Sequence, residues 1–543
     1  MTPADGGHPV YTGWPLVEGF CHPLSHVAGA SIPLRCSLAA HDDRDGPDAG
    51  PATVTVEVAR IGATRELAWS ATGIRVEPQP IGDRAWADGV DWPVTVAIPT
   101  EASWPSGYYE VQLHLEGHDS PRAQAEAFFV LRAPAGHARQ AAVLVLATNT
   151  YQAYNQWGGR GLYSGARAVS FARPLERGYL RRPSAPDEAA FDGRITNIAV
   201  PSDPEHQALV DYQARHQYPL LTASAGWHNW ERRFVRWAEA NGFGLDVAIN
   251  ADLDPAVGPG PDVLQGYRMA VTVGHDEYWS WGMRDTIDQW VDGGGNWAIF
   301  AGNTCFWQVR FADDGQTMVC HKGSARRTDP VMGTDRQHLL TSMWADPVIG
   351  RPESTTTGLT FTRGGYHRVG QAEPQGSGAF TVHRPDHWAL AGTGLRHGDR
   401  LGVGSFIVGY EVDGCTMGDV DGRPVRTADD GGPLSFEIAA SSPARLISID
   451  GERCEAPTRI WASVDPPGDL EEVATTLFGD AEPASVARLG SGHAVLGSFT
   501  RGRGRVFNAG SADWAYGLDA DPLVQQVTAN VLRILGTGAA RRR

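Results

Sequence analysis

The stretch VTVGHDEYWSWGMRDTIDQWVDGGGNWAIFAG, residues 271–302, carries the fold in outline. A short apolar run leads into four residues that can ionise or bind a metal, His275, Asp276, Glu277 and Tyr278. Then the period changes. Met283, Ile287, Trp290 and Val291 fall at i, i+4, i+7 and i+8, which is one face of a helix. Ser280 stands where an N-cap is needed, and the glycines after Asp292 stop the helix. WAIFAG then reads as a second buried strand. Strand, helix and strand in this order predict an α/β domain with a doubly wound parallel sheet.

The same texture extends on both sides. AAVLVLAT from 141, LDVAIN from 245 and RMAVTVG from 268 are nearly continuous apolar runs, as in parallel strands covered on both faces. WERRFVRWAEANG reads as a helix with Phe234, Trp237 and Ala238 on one face and Gly242 as its stop. Near the end, a strand closing at Asn508 precedes a helix that buries Val524, Val527, Val531 and Leu535. Residues 1–135 read instead as a β-sandwich of short alternating strands, and WPSGYYEVQL resembles the late strands of immunoglobulin-like modules. APAGHARQ, 133–140, is the expected linker. The expected division is thus a sandwich (1–135), an α/β domain (141–345 plus 480–543) and a Gly-rich, β-rich insertion (346–479).

Composition narrows the function. The formal charge of −17 argues against a nucleic-acid partner, which demands clustered positive charge. No run of about eighteen apolar residues is present, so no membrane span is expected. MTPADGGHPVYTGW lacks the basic and apolar parts of a signal peptide, so a cytoplasmic protein is expected. The six cysteines show no zinc spacing and read mostly as free thiols, with a Cys21–Cys36 pair left open. Among 46 basic residues only Lys322 is a lysine. GC-rich codon usage explains the bias towards arginine, and Lys322 stands apart from it.

Ligands bind open parallel sheets beyond the carboxyl ends of the strands. The residues placed there are Asn149, Tyr151, Tyr154 and Asn155, then His275, Glu277 and Tyr278, then Asn303 and Cys305. Polar loops are ordinary, and acidic residues before a helix can simply cap it. Several such ends converging on one edge point to a ligand site. Trp307, Lys322, Tyr366 and His367 are candidate walls, as are Tyr410, Glu411, His383 and His387. Cys305, just past a strand, could be a nucleophile activated by His228, His321 or His367.

GHDEYWSWGMRDTIDQWVDGGGNWAIFAGNTCFWQVR is similar to the C-terminal catalytic domain of the large (beta) subunit of N,N-dimethylformamidase. TNTYQAYNQWGG, RFVRWAEANGFGLDVAINADLD and RVFNAGSADWAYGL extend the resemblance over most of 141–535, without the family's lectin-like domain. It implies a glutamine-amidotransferase-like core, an amidohydrolase, and a mononuclear iron held by two tyrosines and one glutamate. Tyr278 fits one ligand position. The second tyrosine's place reads Arg233–Phe234, and DRQHLLTSMW, before Trp344, holds no glutamate. Glu277, His321, Glu353 and Tyr366 are the alternatives for completing a site.

The expected function is hydrolysis of a C–N bond in a small molecule, with Tyr278 as metal ligand or acid, His275 and Glu277 as base or support, and Asn303 as positioner. Two alternatives stand beside it. One is a metal-free hydrolase using Cys305. The other is a non-catalytic protein whose aromatic cleft, drawn from 18 tryptophans, binds a carbohydrate or peptide. Assembly into a homo-oligomer is left open.

Overall fold

The computed structural model describes residues 16–38, 51–119, 121–182, 218–367, 377–447 and 469–537. In chain order we label β1 (Ala142–Leu146), α1 (Thr148–Tyr154), α2 (Glu231–Ala240), β2 (Leu245–Ile249), β3 (Met269–His275), β4 (Tyr278–Ser280), α3 (Trp281–Asp292) and β5 (Asn296–Gly302). Then follow β6 (Trp307–Ala312), β7 (Thr360–His367), β8 (Phe380–Val382), β9 (Arg400–Leu401) and β10 (Tyr410–Gly414). The last are β11 (Glu437–Ala444), β12 (Gly492–Arg501), β13 (Gly504–Asn508) and α4 (Pro522–Thr537).

The 271–302 stretch folds as its periods require. β3 is buried along its whole length. Ser280 caps α3 by accepting a hydrogen bond from the Met283 amide at 3.1 Å. Met283, Ile287 and Val291 face the core, and Trp290 is half-buried. Val524, Val527, Val531 and Leu535 are likewise the buried side of α4. Each fully buried aliphatic side chain of this kind contributes roughly 1.5–3 kcal/mol.

Nine strands form one sheet in the order β2-β1-β3-β5-β13-β12-β11-β8-β9. The first five run parallel. From β13 onward every pairing is antiparallel. The expected parallel sheet is therefore only half of a mixed one. The cause is local: β12 turns straight back into β13 at Arg501–Gly504, and so short a connection permits only antiparallel pairing. The 346–479 stretch, read as an insertion, supplies β8, β9 and β11 to this sheet. It also forms two separate pairs, β7 with β10, which lies beside this sheet, and a hairpin of Met417–Val420 with Arg423–Arg426.

Ahead of the α/β layer, a three-stranded and a five-stranded sheet close on a shared apolar core. Val17, Ile32 and Leu34 meet Val56, Val58, Val111 and Leu113 there. This unit is tied to the α/β layer. Arg60 pairs with Glu239 at 2.5 Å, and the Ser106 hydroxyl accepts from the Val247 amide at 2.8 Å. The 133–140 connection is anchored too, because the Arg139 and Gln140 amides donate to Asp246.

Cys21 and Cys36 are buried free thiols, as are Cys305, Cys320 and Cys415. Cys454 and the N-terminal segment weighed as a signal peptide lie outside the described residues. Among the described residues no helix is long and apolar enough to cross a membrane. The tryptophans serve packing to a large extent: Trp92, Trp227, Trp279, Trp297, Trp344 and Trp514 are among the largest fully buried side chains.

Candidate active site

After β1 the chain first fills β2 on one side and then crosses back to place β3 on the other. At such a reversal the loops leaving neighbouring strands diverge and open a crevice. Here α1 leaves β1, and His275 ends β3. Gly274 makes the exit with φ +80°, and a Cβ there would lie 2.7 Å from that of Trp230. The position therefore requires glycine on two counts, the left-handed backbone and the close indole.

His275 is fixed from every side. Its Nδ1 lies 2.8 Å from the Ser224 carbonyl, so that nitrogen carries a proton and donates. Its Nε2 lies 2.7 Å from Glu411 Oε2 and 3.4 Å from Glu277 Oε2. The edges of Tyr154, Trp230 and Tyr410 surround the ring at 5.5, 6.2 and 5.4 Å between centroids. Burial works against a charge on this imidazole, but the carboxylates of Glu411 and Glu277 outweigh it and raise its pKa to about 9. Asn303 donates from Nδ2 to Glu411 Oε2 at 2.7 Å and holds that carboxylate in place. Glu411 can approach because Gly302, the last residue of β5, has no side chain: a Cβ there would lie 2.2 Å from the Glu411 carbonyl oxygen.

Glu277 links this pair to a group of phenols. Its Oε1 accepts from the Tyr163 hydroxyl at 2.7 Å and from Trp307 Nε1 at 2.8 Å. Tyr154 in turn donates to the Tyr163 hydroxyl at 2.8 Å. Burial pushes the Glu277 carboxyl up, against the opposing pull of His275 and Lys322. Burial, with Glu277 next, holds the hydroxyls of Tyr154 and Tyr163 well above the usual phenol range. Tyr278 is buried beside them, and burial followed by Glu277 raises its hydroxyl in the same way. Lys322 completes the cluster, with Nζ 3.1 Å from the centroid of the Tyr163 ring. Tyr163 and Lys322 are half-buried as residues, whereas Lys322 Nζ and the Tyr278 hydroxyl are shielded from solvent. Clefts open along the five-stranded sheet and at the start of α2, away from this cluster.

His275, Glu277, Tyr278, Asn303, Tyr154, Trp307 and Lys322 thus come together. Other candidates do not. Asn149 spans from α1 to β4, donating from Nδ2 to the Tyr278 carbonyl at 3.0 Å. Tyr151 turns away to donate to Glu231 at 2.7 Å. Asn155 braces its own loop through Gln152 and the Pro174 carbonyl. His367 is held between the Pro443 carbonyl and the Gly378 amide. Tyr366 packs edge-on against Phe361 and interacts with Asp469. Cys305 packs in a second apolar cluster with Trp279, Leu340 and Trp344, where burial pushes its thiol well above the usual range. The proposed activators His321 and His367 have partners of their own, Thr328 for the first.

Tyr163, in GRGLYSG, has no periodic or motif signal and escapes a reading of the sequence. Glu411 is among the candidate walls there, without a role. The positions at which the resemblance implies the other iron ligands are occupied otherwise. Arg233 pairs with Asp519, and Trp344 belongs to the second apolar cluster. Among the described residues no three His, Cys, Asp or Glu side chains are grouped to hold a metal ion.

Comparison with known proteins agrees with the motif. The beta subunit of N,N-dimethylformamidase from Paracoccus aminophilus is 24% identical over 251 residues, covering 41% of this chain and 29% of that protein. The corresponding subunit from Alcaligenes sp is 25% identical over 125 residues, covering 22% of this chain and 15% of that protein. The matches span less than a third of these relatives' length. The family described as N,N-dimethylformamidase beta subunit-like, C-terminal, matches residues 55–529. By that match over most of its length, the chain belongs to the N,N-dimethylformamidase beta subunit-like family.

Proposed function

We propose that the chain is a metal-assisted hydrolase of the C–N bond in a small amide, on an immunoglobulin-like module followed by a glutamine-amidotransferase-like core. One observation carries the reading. Two phenols and a carboxylate, Tyr154, Tyr163 and Glu277, meet through contacts of 2.7–2.8 Å, and a histidine–carboxylate pair stands at the carboxylate's other oxygen. Two tyrosines and one glutamate are the donor types that the resemblance implies for iron, and hard anionic oxygens suit a ferric ion. The donor set fits in type. Glu277, one of the alternatives offered by the sequence, supplies the carboxylate; Tyr163 is in contact with it, and Tyr154 and Tyr278 are the phenols in contact with Tyr163. A ferric ion bound there supplies Lewis acidity to an amide carbonyl.

The remaining work falls to the chain's own groups. Hydrolysis adds the oxygen of water to the carbonyl carbon, breaks the C–N bond and leaves a carboxylic acid and an amine. The departing nitrogen needs a proton. His275 Nε2 is the atom placed to move it, because Ser224 fixes the tautomer at Nδ1 and Glu411 orients the ring. Asn303 positions Glu411, and Trp307 fixes Glu277.

The test is amine release by the purified full-length chain from a panel of N-alkylated formamides and acetamides. Glu277→Gln and His275→Asn are each expected to lose about 100-fold or more in kcat/KM while keeping the melting temperature. Failure to turn over any member of the panel would remove the proposal.

A further inference from the structure

The cleft at the start of α2 has a volume of about 320 Å³ and lies between that helix and the turn at 61–65, which joins the strands Ala52–Ile61 and Arg65–Val76. Its two walls are fixed to each other, because Glu239 of α2 accepts from Arg60 at 2.5 Å and from the Ala63 amide at 2.9 Å. Among the described residues five arginines line it, Arg65, Arg181, Arg182, Arg232 and Arg236. The one acid described there, Glu110, already accepts from Arg65 at 3.2 Å and from Gln112 at 2.6 Å. Such a concentration of positive charge runs against a chain whose formal charge is −17.

The cost falls on the helix. Arg232 stands in the first turn of α2, where the helix dipole disfavours a cation. Arg236 follows at i+4, and like charges at that spacing repel. Arg236 reaches Asp519 at 3.4 Å, and Arg65 has Glu57 at 2.9 Å. Arg182 is held by the Gly178 and Thr222 carbonyls. Arg181 and Arg232 have neither an ion pair nor a side-chain hydrogen bond among the described residues. Burial, and after it Arg236, lowers the pKa of the Arg232 guanidinium. Burial, and after it Arg182 and Arg232, hold the His228 imidazole well below its usual range. A half-buried cation in this position lacks the counter-charge that would offset its desolvation.

We infer that this cleft binds a small phosphate-bearing anion, with Arg232 and Arg181 as its unpaired forks and the exposed Arg65 and Arg236 at its rim. Guanidinium forks match phosphate oxygens in pairs, and a phosphate near two negative charges can take more than one fork. A volume of roughly 300 Å³ is the lower end of small-molecule sites. The negative surplus of the chain repels a nucleic-acid backbone. The cleft stands apart from His275 and Glu277, so the inference does not rest on the proposed hydrolysis.

Titration calorimetry of the full-length chain with inorganic pyrophosphate at low ionic strength tests it. Saturable binding is expected, weakening as salt is added. Pyrophosphate should also raise the melting temperature, and acetate at equal ionic strength should not. Arg232→Gln and Arg181→Gln should each weaken binding about tenfold, without lowering the melting temperature of the free chain. Arg268→Gln, at an exposed arginine elsewhere, should bind as wild type. No saturable binding together with unchanged melting overturns the inference, and so does wild-type affinity in Arg232→Gln. Equal loss in all three variants also overturns it, since that marks diffuse attraction rather than a site. A hexaglutamate peptide that binds through Arg232 and is not displaced by pyrophosphate would give the cleft to an acidic polypeptide instead.

Discussion

His275 Nε2 and Glu411 Oε2 lie 2.7 Å apart, although one ends a parallel strand of the large sheet and the other stands on β10 of the separate β7–β10 pair. Two buried partners this close should act as a unit. Glu411→Gln and His275→Asn are each expected to lower kcat/KM about 100-fold, and the double variant to lose little more than either alone. A double-mutant cycle on an amide substrate measures this. Additive losses would mean that the contact has no functional weight.

The donor set makes a separate, spectroscopic prediction. Chain purified without a metal-affinity tag and supplied with ferric iron should bind about one ion and absorb in the visible through a tyrosinate-to-iron transition. Tyr163→Phe should weaken both iron content and absorption, and one of Tyr154→Phe and Tyr278→Phe, whichever removes the second phenolate, should do the same. Elemental analysis beside the absorption spectrum decides it. Loss of iron on Tyr278→Phe alone would return the ligand role to that residue.

Gly302 can be tested by stability. A methyl group there must displace the Glu411 carbonyl or the Ala512 amide, which lie 2.2 and 2.5 Å from its ideal position. Gly302→Ala is expected to cost about 1–3 kcal/mol in denaturant unfolding. Activity should fall further than stability, because the displaced strand carries Glu411. Wild-type stability and activity together would show that the strand yields freely.

Cys305 offers a control. Its thiol is buried in apolar surroundings and raised well above the usual range, with no thiolate to attack a carbonyl. Cys305→Ala should keep kcat within about twofold, whereas an inactive but folded variant would revive the cysteine mechanism.

Acid stability should depend on Asp329. Burial alone would raise its carboxyl, but hydrogen bonds from Arg310 and Thr341 hold it well below the usual carboxylate range. A depressed native pKa stabilises the fold fully above the unfolded value of about 3.9, and that stability is lost as pH falls below it. Asp329→Asn should therefore lower the melting temperature at pH 7 and narrow its difference from wild type as pH drops below about 4. Melting curves across pH 3–7 that run parallel would contradict this.

The α/β layer was legible because its signals are local. The period of α3, its Ser280 cap and the unbroken apolar strands each lie within a dozen residues. His275, Glu277 and Asn303 were legible for a related reason: they follow strands, and strand ends are where open sheets bind ligands. The mixed character of the sheet was not, because β11 and β12 look like any β-rich segment until their pairing is known. Tyr163 and Glu411 reach the cluster through tertiary packing alone. The iron ligands were sought by position within motifs, whereas the oxygens that gather come from α1, a loop and the β3–β4 turn. Spacing along a chain cannot report such a meeting.

The position of β13 has a consequence for how the molecule forms. β5 lies inside the sheet, between β3 and a strand made roughly two hundred residues later. Until residues 504–508 are available, β5 has one open edge, and Glu411 has no fixed scaffold from which to reach His275. Pairings so distant in sequence are slow to close, since a long loop must be ordered before any contact rewards it. Residues through 508 must therefore be made before the His275–Glu411 pair can assemble. Expression of this protein should accordingly be limited by aggregation of late intermediates more than by the stability of the finished fold.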